Sequence, residues 1–185
     1  MRIVAGRFGG RRLDVPKNRD IRPTSDKVRG AIFNALDARD VVQGARVLDC
    51  FCGTGALGLE ALSRGADFCT FWDSDKASLA LARSNAESLG ALDNCEFKLK
   101  DASRSNDPVQ ANAYTVLFLD PPYLKDLVMP TLKGLSENGY LEDGAFCILE
   151  VEKEHEPILS GSFEVQSEKI YGDTKVLFVS YTSSP

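Results

Sequence analysis

The sequence has one histidine, one tryptophan and two methionines among its 185 residues. His155 stands alone in the acidic stretch Glu152 to Glu156, so a histidine general base is not expected. No CxxC pair occurs among Cys50, Cys52, Cys69, Cys95 and Cys147, and five is an odd count. That argues against a disulfide framework and for reduced thiols in a cytoplasmic compartment. Cys50 and Cys52 lack nearby partners for a metal site, so no metal is expected and the thiols read as small core hydrophobes. The longest uncharged run, Pro108 to Leu119, falls well short of the ~20 apolar residues that a membrane helix needs. Arg2 follows Met1 directly, with Arg7, Arg11 and Arg12 close behind, which denies the N-terminus a signal-like apolar core.

What is present fits an ordinary globular chain. Hydrophobic residues make up 43% and charged residues 26%, a balance that excludes disorder and collagen-like architectures. A chain of this length buries ~70% of its unfolded surface and needs no staple. The net charge of −5 is unevenly spread. Residues 1–29 carry nine Lys/Arg against three Asp, a local net of +6, and residues 30–185 hold a net of −11. A basic arm on an acidic body suits a polyanion partner, although a solvated Arg-rich hairpin has the same composition.

The pattern of elements divides the chain into an arm, 1–37, and a core, 38–185. Arg2–Arg7 and Arg11–Val15 read as two strands joined at Gly9-Gly10. Thr24 or Ser25 then caps a helix whose apolar stripe is Val28, Ala31, Ile32, Ala35 and Leu36. From Arg46 onward strands alternate with helices: strand 46–51, helix 56–64, strand 67–72, helix 76–89, strand 95–99, strand 114–119, helix 126–136 and strand 145–151. Strands 163–170 and 175–181 close the chain as a hairpin around Tyr171-Gly172-Asp173-Thr174. The expected fold is α/β: a seven-stranded, mostly parallel sheet with helices on both faces and an antiparallel C-terminal hairpin.

After the first core strand comes Asp49-Cys50-Phe51-Cys52-Gly53-Thr54-Gly55-Ala56-Leu57-Gly58. Its glycines satisfy G-x-G-x-x-G between a strand and a helix, a weak signal alone. Asp73 lies 20 residues after Gly53, at the end of the second strand, where an acid can bind ribose hydroxyls. Asp75 beside it reads as a helix cap. Asp49, just before the glycines, would repel a pyrophosphate and attract an ammonium. S-adenosylmethionine carries an ammonium and a sulfonium and no phosphate, so it is favoured over a dinucleotide. Asp101, after the third strand, is placed to accept a hydrogen bond from an adenine amino group.

The fourth core strand runs directly into Asp120-Pro121-Pro122-Tyr123. Two prolines remove two donors and stiffen φ around the carboxylate. Asp120 and a proline carbonyl can each accept one N–H of an amino group, and Tyr123 can stack on the ring that bears it.

These motifs together resemble a class I S-adenosylmethionine-dependent methyltransferase that acts on amino groups. Arg2-Ile-Val-Ala-Gly-Arg7, the block Arg22-Pro-Thr-Ser-Asp-Lys-Val-Arg29, the segment from Gly55 to Ala66 and Tyr171-Gly-Asp-Thr174 are similar to the RsmD family, over nearly the whole chain. The resemblance implies a Rossmann-like fold and methylation of guanine N2 in 16S ribosomal RNA, of the guanine-966 type. It implies cofactor contacts from Asp49, Phe51, Gly53, Thr54, Gly55, Asp73, Ser74, Asp101, Ala102 and Asp120, and assigns the chemistry to Asp120, Pro121, Pro122 and Tyr123. Thr24 divides evenly between capping the helix and closing over the cofactor. Arg7, Arg11, Arg12, Arg19 and Arg22 are expected to grip phosphates of the rRNA or of a small-subunit particle. A monomer with no membrane partner is expected. Four positions depart from the family pattern: Cys50 and Cys52 in the glycine loop, Asp73 where Glu is commoner, and Ile170 where a basic residue is frequent. Rival readings are an adenine-N6 or cytosine-N4 methyltransferase and a non-catalytic RNA-binding module. A protein glutamine methyltransferase would carry Asn in place of Asp120.

Overall fold

The computed structural model describes residues 1–16, 25–105, 107–109, 112–122 and 126–183. Helix α1 spans Asp26–Asp37 and is capped by Ser25, whose side chain accepts from the Val28 amide. Strand β1 (Arg46–Cys50), helix α2 (Ala56–Ser63), strand β2 (Phe68–Asp73) and helix α3 (Lys76–Leu89) follow, then strands β3 (Cys95–Leu99) and β4 (Tyr114–Leu119). Helix α4 (Val128–Glu137) leads to strands β5 (Leu141–Glu152), β6 (Phe163–Tyr171) and β7 (Thr174–Tyr181). One sheet has the order β3-β2-β1-β4-β5-β7-β6, parallel through β5, with β7 antiparallel to both β5 and β6. The seven strands and the antiparallel C-terminal pair are those expected from the alternation of runs. No helix among the described residues is long and apolar enough to cross a membrane.

Strict alternation within the central strands divides the core in two. Val47, Phe71, Val116, Phe118, Ile148 and Phe178 face α1, α2 and α3, whereas Leu48, Trp72, Leu117, Leu119, Leu149 and Val179 face α4. Successive side chains of a strand point to opposite faces, so a strand covered on both sides must be apolar at nearly every position. This is why Val116–Leu119 of β4 reads as an unbroken apolar run.

Most core boundaries agree to within two residues, and two larger departures have physical reasons. Strand β5 begins at Leu141, earlier than position 145, because Leu141 pairs with Tyr114 before a register shift resumes the ladder at Phe146 opposite Val116. Exposed Glu142 to Gly144 fill the irregularity, and Gly144 takes φ 82° there. At the N-terminus the expected pair of strands shrinks to one bridge, Arg2 with Arg12. Beyond it the amides of Val4 and Ala5 turn away from their opposite limb and donate to the carboxylate of Glu60 on α2. The arm is nonetheless seated firmly: Ile3 and Leu13 are buried in the same cluster as Phe33 and Leu59.

Candidate active site

In an open α/β sheet, ligands bind beyond the carboxyl ends of the strands, where the strand order reverses. Here that point lies between β1 and β4. β1 pairs with β2 on one side and β4 on the other, and Cys50 is level with Leu119. Asp49, near the end of β1, and Asp120, directly after β4, therefore flank the crevice.

The glycine loop reaches α2 by three left-handed residues: Phe51 (φ 58°), Gly53 (φ 53°) and Gly55 (φ 77°). A side chain on Gly53 would meet nothing within 4 Å, so the loop leaves open space above it. Gly58 serves packing instead. A Cβ there would lie 2.4 Å from Phe71 and 2.5 Å from the Cys69 sulfur, so only glycine lets α2 lie so close to β2. Phe51 has no such freedom, and a non-glycine residue in this region is held there by its surroundings.

Asp49 is buried, and its Oδ2 accepts from the Gly58 amide at 2.9 Å, in the first turn of α2. Burial raises its carboxyl well above the usual range, the Gly58 N–H offsets part of that, and the charges of Asp120 and Asp73 raise it further. Asp120 is partly exposed, yet desolvation by the surrounding protein pushes it up to about 7. Among the described residues no ion pair neutralises Asp49, Asp73 or Asp120. Burial and mutual repulsion disfavour the charged forms of Asp49 and Asp120, so this crevice disfavours a phosphate and favours a cationic ligand that would stabilise them.

Asp73 braces the loop. Its Oδ2 accepts from the Gly53 amide and its Oδ1 from the Asp75 amide, both at 2.9 Å. Asp75 caps α3 through the amide and hydroxyl of Ser78. Asp101 caps a short 3-10 turn, Ala102–Arg104, accepting from the Ser103 amide at 3.0 Å. Ala102 is buried and Ser74 is exposed. Pro121 is buried and Pro122 exposed, so the first proline anchors Asp120 while the second faces outward. Thr24 and Tyr123, like Arg19 and Arg22, lie outside the described residues.

The remaining arginines are spread along the arm. Arg7 is exposed and its amide donates to Ser63, the last residue of α2. A guanidinium N–H of Arg11 donates to the carbonyl of Ser88, near the end of α3, at 2.5 Å. Both contacts lie at the amino-end edge of the sheet, opposite Asp120. There a cavity of about 590 Å³ is lined by Arg7, Gln43, Arg64 and Asn94, among others. Arg12 is bridged to Arg2 and exposed. Burial raises the thiols of Cys50, Cys52 and Cys69, which keeps them protonated, as expected of core thiols.

Two residues not singled out from the sequence prove central. Glu60, fully buried, takes the Val4 and Ala5 amides, Arg29 and Arg64. Asn85, 1% exposed, joins the arm to the glycine loop. Its signal was a polar residue within the buried face of α3, between Ala82 and Ala86 and Leu89.

Comparison with known proteins identifies the family of the chain. The family model described as "Conserved hypothetical protein 95" matches residues 1–180. The chain is 34% identical over 174 residues to ribosomal RNA small subunit methyltransferase D of Escherichia coli, covering 93% of this chain and 85% of that protein. It is 34% identical over 179 residues to the putative rRNA methyltransferase YlbH of Bacillus subtilis, covering 95% and 96%. A solved structure of a putative methyltransferase, yhhF, from Escherichia coli superposes with a TM-score of 0.87 at 31% identity, covering 100% of this chain and 99% of that one.

Proposed function

The chain belongs to the Conserved hypothetical protein 95 family, the RsmD methyltransferases, and from that premise we propose that it transfers a methyl group from S-adenosylmethionine to guanine N2 of small-subunit ribosomal RNA. The observation that carries the reading is the pair Asp49 and Asp120 facing each other across the switch-point crevice, with Asp120 running into two prolines.

The residues present suit the cofactor. Open space above Gly53 admits a ligand against the backbone, and Asp49 offers a carboxylate for an ammonium. Asp73 and Ser74 would hold the ribose, Asp101 and Ala102 the adenine, with Phe51, Thr54 and Gly55 completing the loop. When bound, S-adenosylmethionine supplies an electrophilic methyl on a sulfonium.

The rest falls to this chain. A guanine amino nitrogen shares its lone pair with the ring and is a poor nucleophile. Asp120 and the Pro121 carbonyl each accept a hydrogen bond from one of its two N–H groups, which fixes the nitrogen in orientation and localises the lone pair. Such positioning can contribute several of the roughly 7–11 kcal/mol that orientation offers. Asp120 also offsets positive charge growing on nitrogen, worth ~3 kcal/mol. Tyr123 stacks on the extruded base, so a loop or bulge is preferred over a duplex. Arg7, Arg11, Arg12, Arg19 and Arg22 contact phosphates, and with about four neutralised, log affinity falls against log salt with a slope of roughly −3. The enzyme acts as a cytoplasmic monomer in this reading.

Labelled methyl transfer to small subunits that lack the modification, followed by nucleoside analysis, is the test. N2-methylguanosine, mapped to the guanine-966 position, is the expected product. N6-methyladenosine would transfer the reading to the rival amino chemistry, and no incorporation would leave a non-catalytic RNA-binding module.

A further inference from the structure

The arm reaches the glycine loop through one buried side chain. The Asn85 Oδ1 accepts from the Asp14 amide at 2.8 Å, and its Nδ2 donates to the Asp14 carbonyl at 3.1 Å and to the Thr54 carbonyl at 3.0 Å. Reversing the amide would set N–H against N–H and oxygen against two carbonyls, so the network itself fixes the orientation. Asp14 belongs to the arm, and Thr54 sits between the two glycines of the loop. A second contact joins the same partners: the Thr54 hydroxyl lies 3.6 Å from the Met1 sulfur. The loop also rests on α3 one turn before Asn85, since a Cβ on Gly55 would come within 3.0 Å of Ala82.

A buried amide that has made three of its four possible bonds has little freedom to follow one partner without the other. Displacing the Asp14 backbone tilts Asn85, and the Thr54 carbonyl must follow or lose its donor. Thr54 lies within the turn closed by the Gly55 amide on the Cys52 carbonyl at 2.7 Å, and the same turn carries the Gly53 amide that donates to Asp73.

We propose that Asn85 is a positioning residue that couples RNA binding on the arm to cofactor binding in the glycine loop, each raising the affinity for the other. The proposal rests on the reading of that loop as the S-adenosylmethionine site and of the arm as the RNA contact. Coupling of this kind is reciprocal and commonly 5-fold or more. A residue that merely holds the fold would lower both affinities and leave their ratio alone.

The test measures affinity for S-adenosylhomocysteine, which binds without reacting, with and without 16S ribosomal RNA made by transcription. RNA affinity is measured in turn with and without S-adenosylhomocysteine. The full-length protein is expected to show a factor of at least about 5, equal in both directions. In Asn85→Asp, which keeps the acceptor for Asp14 and loses both donated bonds, the factor should fall to near 1. Asp14→Ala, which leaves the backbone partners in place, should keep it. Asp14→Pro removes the arm's N–H to Asn85 and fixes φ there, next to buried Leu13, and should abolish the factor even if Asn85→Asp does not fold. A full-length protein that binds neither ligand overturns the proposed function. One that binds both with a factor of 1, or an Asp14→Pro variant with the factor intact, overturns the coupling alone.

Discussion

Glu60 and Asp49 are both fully buried carboxylates on neighbouring elements, yet they live in opposite circumstances. Glu60 collects four donors: the Val4 amide at 2.8 Å, the Ala5 amide at 3.1 Å, Arg64 at 2.9 Å and Arg29 at 3.4 Å. Asp49 collects one, from Gly58, and faces two further carboxylates. Charge removed from water must be matched by donors or counter-charges, or it is held at a cost. Glu60 is matched, and its work is to hold the arm, α1 and α2 together. Asp49 and Asp120 are left short, and under the proposed function that shortfall is met by the cofactor and the substrate amine.

That contrast can be broken at either end. The largest effect is expected from Glu60→Ala, which removes the buried acceptor shared by Arg29, Arg64 and the Val4 and Ala5 amides and should lower stability by ~3–5 kcal/mol, read by denaturant unfolding. Glu60→Gln should lose less, since it keeps one acceptor. Next, Asp120→Ala should slow single-turnover methylation by ~100-fold or more, with cofactor affinity by calorimetry near that of the unaltered protein. Unchanged turnover would remove Asp120 from the chemistry.

The same shortfall has a pH signature. With Asp120 raised to about 7, roughly a tenth is ionised at pH 6, so the methylation rate should fall about 10-fold from pH 8 to pH 6. A carboxyl raised on folding favours the folded state below its unfolded value near 3.8, and that advantage is lost as pH rises through about 7. Asp120→Asn should thus melt above the unaltered protein at pH 8 and level with it near pH 4. The difference is about 1–2 kcal/mol, below the full linkage value because the carboxyl is partly exposed. The smallest effect belongs to a carboxylate with only a cap to make: Asp75→Ala should lower the melting temperature slightly without changing the pH profile of methylation.

Much of the fold was legible because the covered strands leave so plain a trace. α3, β3 and β4 fall on the expected residues, and the Tyr171 to Thr174 turn joins the last two strands. The glycine loop and the Asp120-Pro-Pro junction were legible because their chemistry is unusual in sequence as well as in space. Other features were hidden. Asp49 was expected to wait for an ammonium; that it also caps α2 depends on how closely Gly58 lets the helix approach β2. The arm's arginines were grouped by sequence, but Arg7 and Arg11 stand at the edge opposite Asp120 because the hairpin runs the length of the sheet.

The amino-acid order alone determined which residues could form strands, where glycine and proline interrupt them, and which carboxylates follow them, since these depend on neighbours along the chain. Only the folded chain decided which carboxylate is matched and which is left wanting. Glu60 meets Val4 and Ala5 from 56 and 55 residues away, and Asn85 meets Thr54 from 31 away. A buried charge is stabilised by whatever the packing brings within 3 Å or so, and no local pattern records that.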